Sequence, residues 1–228
     1  MKYYTLDTPA ESKETGSVYP QIAFDRIKEA FKFRHNVYPD DEPILSATLE
    51  KGAKLTDVLS QASIAGHGLL INEKVKNILA DFKIMNHRFY NCPVKDHNGN
   101  IHQYYWMALV QPDIMDWIDF KNSEFYTVET GFREDDIELI SYDDYLNKKQ
   151  NLPNINWWIE AESIKLNKKT DCNLFIFPYL LHNIILTENL KQFFINEKIT
   201  GIKTEEAVLK GQLFLCRKFT ILVIASKI

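Results

Sequence analysis

The chain is poor in every feature that would assign it to a specialised class. Only 8 Gly and 8 Pro occur in 228 residues, which excludes collagen-like and low-complexity chains. There are three cysteines, Cys92, Cys172 and Cys216, an odd number, widely spaced and without a CxxC pair. A disulfide framework or zinc ribbon needs closer groups, so the expectation is three reduced, mostly buried thiols in a cytoplasmic protein. No apolar run approaches the ~20 residues of a membrane span. Leu174 to Leu186 is broken by Pro178, His182 and Asn183, and Thr220 to Ala225 is too short. Met1 to Asp7 lacks the apolar run and small-residue cleavage site of a signal peptide and reads as a first strand. Basic excess is absent too: 27 Lys and Arg face 31 Asp and Glu, a net charge of −4, which argues against nucleic acid as a partner.

Catalytic signatures are also missing: no GxGxxG, Walker loop, GxSxG or HExxH is present. The histidines are His35, His67, His87, His97, His102 and His182. Only His97 and His102 come near one another by pattern, across a hairpin turn, and no third ligand converges on them. Neither a metal nor a cofactor is therefore expected. The acid pairs Asp40-Asp41-Glu42, Asp135-Asp136 and Asp143-Asp144 read as solvated clusters rather than an acid–base pair, because neighbours on a strand point to opposite faces.

What the chain does have is 45% apolar and 13% aromatic residues, enough for a β-rich core. At this length folding buries about 70% of the unfolded surface, so no staple is needed. Pro20 to Phe33 carries Ile22, Phe24, Ile27, Ala30 and Phe31 at helical spacing and predicts a helix. A clearer helix starts at Asn72, a capping residue followed by Glu73 in the first turn. Val75, Ile78, Leu79 and Phe82 then form one stripe. The stretch Ile71 to Leu79 is echoed 115 residues later by Leu186 to Phe194, with cap, acid, apolar, basic and paired apolar positions in the same order. Both read as an extended segment feeding a capped helix, two related strand–helix units. Between them, Asn98-Gly99 predicts a two-residue type I′ hairpin turn with arms His87 to Asp96 and Ile101 to Val110. That turn pairs Asn91 with Trp106 and Phe89 with Ala108, and it makes both faces of the hairpin apolar, as a central hairpin requires. Pro93 implies a bulge or edge position. Further strands are expected at Glu124 to Thr130, Trp157 to Ile164, Leu174 to Phe177 and Phe219 to Ala225, and a helix at Tyr142 to Gln150. Without regular βαβ spacing, this predicts an α+β fold with a mixed, mainly antiparallel sheet.

Charge is unevenly spread. From Asp113 to Asp144 eleven acids face only Lys121 and Arg133, a net of −9, and the remainder of the −4 chain therefore carries +5. Such an asymmetry suits either a solvated acidic surface or a docking face for a basic partner.

Five segments together resemble one known family. They are Asn72-Glu73-Lys74-Val75-Lys76, His87-Arg88-Phe89-Tyr90, Tyr104-Tyr105-Trp106, Ile118-Asp119-Phe120-Lys121-Asn122-Ser123-Glu124-Phe125, and Thr187-Glu188-Asn189-Leu190-Lys191 running to Ile199-Thr200-Gly201-Ile202. In this order they resemble bacterial polymorphic-toxin immunity family eleven, formerly a domain of unknown function, over residues 68 to 206. The sequence departs from it at Asn91, where the family's proline is displaced to Pro93, and after Glu206, where no likeness remains. The resemblance implies a single immunity-type domain over 1–228: an N-terminal extension (1–67), a core (68–206) and a C-terminal strand or tail (207–228). It implies a non-catalytic protein, not an enzyme, that occludes a co-encoded toxin. The motif residues look structural, so the expected toxin-binding surface is the acidic segment, specifically Glu134, Asp135, Asp136, Glu138, Asp143 and Asp144. Its expected partner is a cognate toxin domain with a basic, nuclease-like surface, and neither nucleic acid nor membrane. The residues alone leave two other readings open, an interaction module unrelated to toxins and an enzyme with dispersed active-site residues. They carry no signal for an oligomeric state.

Overall fold

The computed structural model describes residues 2–167, 171–181, 183–210 and 213–215. Its strands are β1 (Tyr3–Asp7), β2 (Ile22–Phe24), β3 (Ala47–Leu49), β4 (Val58–Leu59), β5 (Gly68–Asn72), β6 (His87–Asn91), β7 (Val94–Lys95), β8 (Ile101–His102), β9 (Tyr104–Leu109), β10 (Glu124–Glu129), β11 (Phe132–Ile137), β12 (Trp157–Lys165), β13 (Leu174–Phe175), β14 (Ile184–Thr187), β15 (Lys203–Lys210) and β16 (Leu213–Leu215). The helices are α1 (Ile27–Ala30), α2 (Glu73–Leu79), α3 (Tyr142–Gln150) and α4 (Glu188–Asn196), with 3₁₀ turns at Ile114–Trp117 and Phe120–Asn122. The strands form an eight-stranded sheet, β11-β10-β12-β16-β15-β1-β14-β13, and two four-stranded sheets, β2-β3-β7-β8 and β4-β5-β9-β6. Among the described strands only β3 and β7 pair in parallel. The fold is α+β and mainly antiparallel. The expected strand at Phe219 to Ala225 lies outside the described residues, as does Cys216.

The sheet β4-β5-β9-β6 separates two cores. One face carries Leu69, Ile71, Met107 and Leu109 into the larger core, which also takes in Phe175, Ile185, Leu190 and Phe194. The other carries Leu70, Tyr90, Tyr104 and Trp106 against Ile22, Phe33 and Leu45 of the N-terminal segment and Val94 of β7. Burial on both faces explains the nearly continuous apolar run of β9. Gly68 is required there, since a Cβ would stand 2.2 Å from the Met107 carbonyl oxygen and 2.7 Å from Cζ2 of Trp106.

The two related strand–helix units have the same surroundings. In one, β5 leads into α2 and on to β6, with β9 inserted antiparallel between the two strands; in the other, β14 leads into α4 and on to β15, with β1 inserted. The inserted strands match residue for residue: Tyr104 sits opposite Asn72, and Tyr3 opposite Thr187. On the helix side, the Tyr105 hydroxyl donates to Glu73, and the Tyr4 hydroxyl donates to Glu188 at 3.4 Å. Lys76 stands 3.7 Å above the Tyr105 ring and Lys191 3.7 Å above Tyr4. The halves also lock onto each other reciprocally. The Thr200 N–H, beyond α4, donates to Asp57 Oδ2 at 2.8 Å, and the Lys83 N–H, beyond α2, donates to Asn173 Oδ1 at 3.1 Å. Gly201 (φ 80°) passes so close to β4 that a Cβ would lie 2.0 Å from the Val58 carbonyl oxygen. The echo thus belongs to a duplicated unit of four strands and a helix. The capping detail does not repeat: Asn72 Oδ1 accepts from the Val75 N–H, whereas the Thr187 side chain makes no cap and receives the Asn173 amide.

Three expectations need correction. Pro20 to Phe33 is not one helix: Ile22 and Phe24 alternate in strand β2, and α1 is a single turn. Period-two burial and the tie between the buried Gln21 and Ser60 override the helical spacing. The Asn98-Gly99 turn is not a two-residue type I′ turn. Asp96 accepts the N–H groups of Asn98 and Asn100, only Gly99 has a positive φ, and a three-residue loop results. The pairing therefore moves by one residue, Asn91 opposite Tyr105 and Phe89 opposite Met107, which puts Tyr90 with Trp106 and Phe89 with Tyr105. The hairpin is also divided at Cys92-Pro93: β6 is the edge of one sheet, β9 is internal to it, and β7 and β8 belong to another.

Candidate functional site

The acidic segment runs from the 3₁₀ turns through the β10–β11 hairpin into α3. Thr130 and Gly131, both at positive φ, make the tight turn that joins Glu129 to Phe132. β11 is the sheet's edge, and Phe132 to Asp136 are all exposed. Acidic side chains on such a strand discourage indiscriminate edge pairing. Ser141 then caps α3 by accepting the Asp144 N–H at 3.1 Å.

The structure divides the six expected residues into two kinds. Asp136 is held by Arg133 at 2.6 Å. Asp144 accepts the Ile140 N–H at 3.0 Å and pairs with Lys148 at 3.3 Å. The Ile140 N–H foremost, with Lys148 assisting against the opposing effect of burial, holds its carboxyl below the usual carboxylate range. Those two carboxylates are committed to the fold. Glu134, Asp135, Glu138 and Asp143 have no side-chain partner among the described residues, and all four are exposed along a continuous path from the edge strand to the first turn of α3.

Beside them lies an aromatic surface that the sequence reading did not single out. Across β11, β10 and β12 the rows are Arg133–Val128–Trp158 and Asp136–Tyr126–Glu160. Arg133 lies 4.3 Å over the Tyr126 ring and pairs with Glu162 as well as Asp136. Tyr126 Oη and Trp158 Nε1 both donate to Glu160, each at 2.7 Å. The signal was Trp157-Trp158 followed by Glu160 and Glu162 at period two, which puts alternate residues on the solvent face. Phe132, Ile140 and Ile155 add exposed apolar groups, Ile155 at 98% exposure.

Hollows occur at two further places among the described residues. An open cleft of about 350 Å³ lies between the 3₁₀ turns and the start of α3, with Asp116 and Asp119 among its walls. A second, of about 150 Å³, lies where the duplicated halves meet, between the start of β5 and the end of β1. Trp106 contributes to its wall and is 1% exposed, and its Nε1 has no partner among the described residues. His35 Nδ1 and His67 Nε2 are 3.1 Å apart, and His67 borders that second hollow. His97 and His102 do not form a pair; His102 Nε2 is 2.9 Å from Asp96 and His97 Nε2 is 3.3 Å from the Ala53 carbonyl. No group of three or more His, Cys, Asp or Glu side chains able to hold a metal occurs among the described residues. No helix among them is long and apolar enough to cross a membrane. No protein-family model matches the chain, and no curated protein matches it significantly.

Proposed function

We propose that the protein is an immunity protein that binds a cognate bacterial toxin domain in the cytoplasm of the producing cell and neutralises it by occlusion, without catalysis. The observation that carries this reading is the array of uncommitted carboxylates, Glu134, Asp135, Glu138 and Asp143, on an exposed sheet edge and helix turn beside half-buried aromatics. A surface with aromatic anchors, an acidic rim and a firm scaffold beneath is suited to holding a basic protein. The ordered resemblance to the immunity family supplies the toxin; charge supplies its character, a basic, nuclease-like surface whose groove an acidic inhibitor fills. Complementary fields would speed encounter and make it sensitive to salt. The motif residues support the fold rather than the contact: Asn72 caps α2, Trp106 is core, and Tyr105 seals the helix side through Glu73. That division leaves the acidic face free to vary with its partner.

The test is co-expression with the product of the neighbouring gene, which the proposal takes to carry the toxin domain. Restored growth with the wild-type chain supports the proposal. Cell death at the same rate with and without this chain overturns it.

A further inference from the structure

The cleft between the 3₁₀ turns and α3 has a composition that neither the resemblance nor the edge strand explains. Its lining mixes polar and apolar groups: Ile140, which is 62% exposed, and the half-buried Tyr142 line it, together with the buried Ile118 and Phe120. Asp116 and Asp119 sit at its border, against Lys121 as the one cation lining it among the described residues. The Asp116 carboxylate has no side-chain partner among the described residues. Asp119 accepts the Asn122 amide on Oδ2 at 2.9 Å, which leaves Oδ1 available.

An anion is the wrong occupant. The first N–H groups of α3 would attract one, but Ser141 already accepts the Asp144 N–H, Asp144 accepts the Ile140 N–H, and Asp143 and Asp144 fill the first turn with negative charge. An apolar molecule would leave two carboxylates facing it. An alkyl chain ending in a cation matches both kinds of lining: the stem lies against Ile140 and Tyr142, and the head meets the carboxylates. The walls are held in place. Asn167 Nδ2 donates to the carbonyls of Asp116 (3.0 Å) and Ile118 (2.8 Å), and Tyr142 stacks on Tyr145 with centroids 5.9 Å apart.

We propose that this cleft is a socket for one arginine or lysine side chain of the basic partner; the partner rests on the function proposed above, the socket on its own chemistry. The test uses n-butylguanidinium chloride as the probe, titrated into the full ¹⁵N-labelled chain at low salt, with n-butanol as the uncharged control. Saturable amide shifts confined to Ile118–Lys121 and Ile140–Tyr142 are expected, with n-butanol giving far smaller ones. The D116N/D119N double variant should bind about fivefold more weakly, and Asp81→Asn, a carboxylate beyond α2, should bind as wild type. Equal shifts from n-butanol, unchanged affinity in the double variant, or no saturable shift would each overturn the socket. Growth rescue without probe binding removes only the socket, and probe binding without rescue removes only the toxin.

Discussion

Replacing Asp57 by alanine should cost the fold about 3–4 kcal/mol, because this carboxylate fastens the two duplicated halves together. It receives three hydrogen bonds at 2.8 Å: the Thr200 N–H and Thr200 hydroxyl on Oδ2, and the Asn72 amide on Oδ1. Hydrogen bonds to a charged group contribute roughly 1.5–3 kcal/mol each. Three acting independently would exceed the figure given, but they share one carboxylate whose side chain is 16% exposed, so water takes up part of the loss. Lys74, at 3.9 Å and 42% exposed, adds little. Asn173, the counterpart in the other half, accepts one backbone N–H from Lys83 and donates to Thr187 at 3.1 Å; Asn173→Ala should cost about 1 kcal/mol. The pH dependence supplies an independent check. Burial raises the carboxyl's pKa, but the Thr200 and Asn72 donors outweigh it, with Lys74 assisting, and the net displacement is downward. A lowered value in the folded state means that the stabilisation is complete above the unfolded-state value of about 3.9 and fades as pH falls below it. Urea unfolding followed by tryptophan fluorescence, at pH 7 and at steps below pH 4, reads both effects. A loss under about 1 kcal/mol at pH 7 would refute the reasoning, as would a difference between Asp57→Ala and wild type that stays constant on acidification.

The remaining predictions concern core, thiol and surface. Trp106→Ala should cost about 3–5 kcal/mol by calorimetry, since the ring is 1% exposed, whereas Trp106→Phe should cost clearly less because it keeps much of the ring volume while removing a buried N–H that has no partner among the described residues. Burial, with a smaller contribution from Asp25, pushes the Cys92 thiol up to about 12, so at pH 8 its reaction with a disulfide reagent should proceed only at the global opening rate; fast modification of the native protein would contradict the packing. Reversing charge at Glu134 and Asp135 to lysine should leave the melting temperature unchanged and slow association with the proposed toxin domain about tenfold at low salt; wild-type rates in stopped flow would remove the acidic face from the interface.

The sequence made local periodicity readable and long-range pairing unreadable. β10, β12, α2 and α3 were legible because each shows its own period or cap within its own residues. The hairpin register was not, since Asp96 captures the N–H groups of Asn98 and Asn100 and thereby adds one residue to the loop. β11 was invisible, because Phe132 to Asp136 are exposed on both sides and leave no alternation to read. The helix echo exposed one part of the duplication. Its inserted strands escaped notice, although Tyr3-Tyr4 and Tyr104-Tyr105 share a pattern, because β9 follows β5, α2 and β6 in the chain whereas β1 lies far ahead of β14, α4 and β15, so the two units differ in strand order. For the candidate site, the six acids were found by counting charge. Counting could not tell that Asp136 and Asp144 are engaged while Glu134, Asp135, Glu138 and Asp143 are free, since that depends on Arg133 and Lys148 folding back.

The most direct test is titration of the proposed toxin's own activity, assayed on the purified product of the neighbouring gene, with this protein. A linear fall to zero at a fixed molar ratio is expected, weakened by raised salt and by the Glu134 and Asp135 reversals. Undiminished toxin activity at a large molar excess would contradict it.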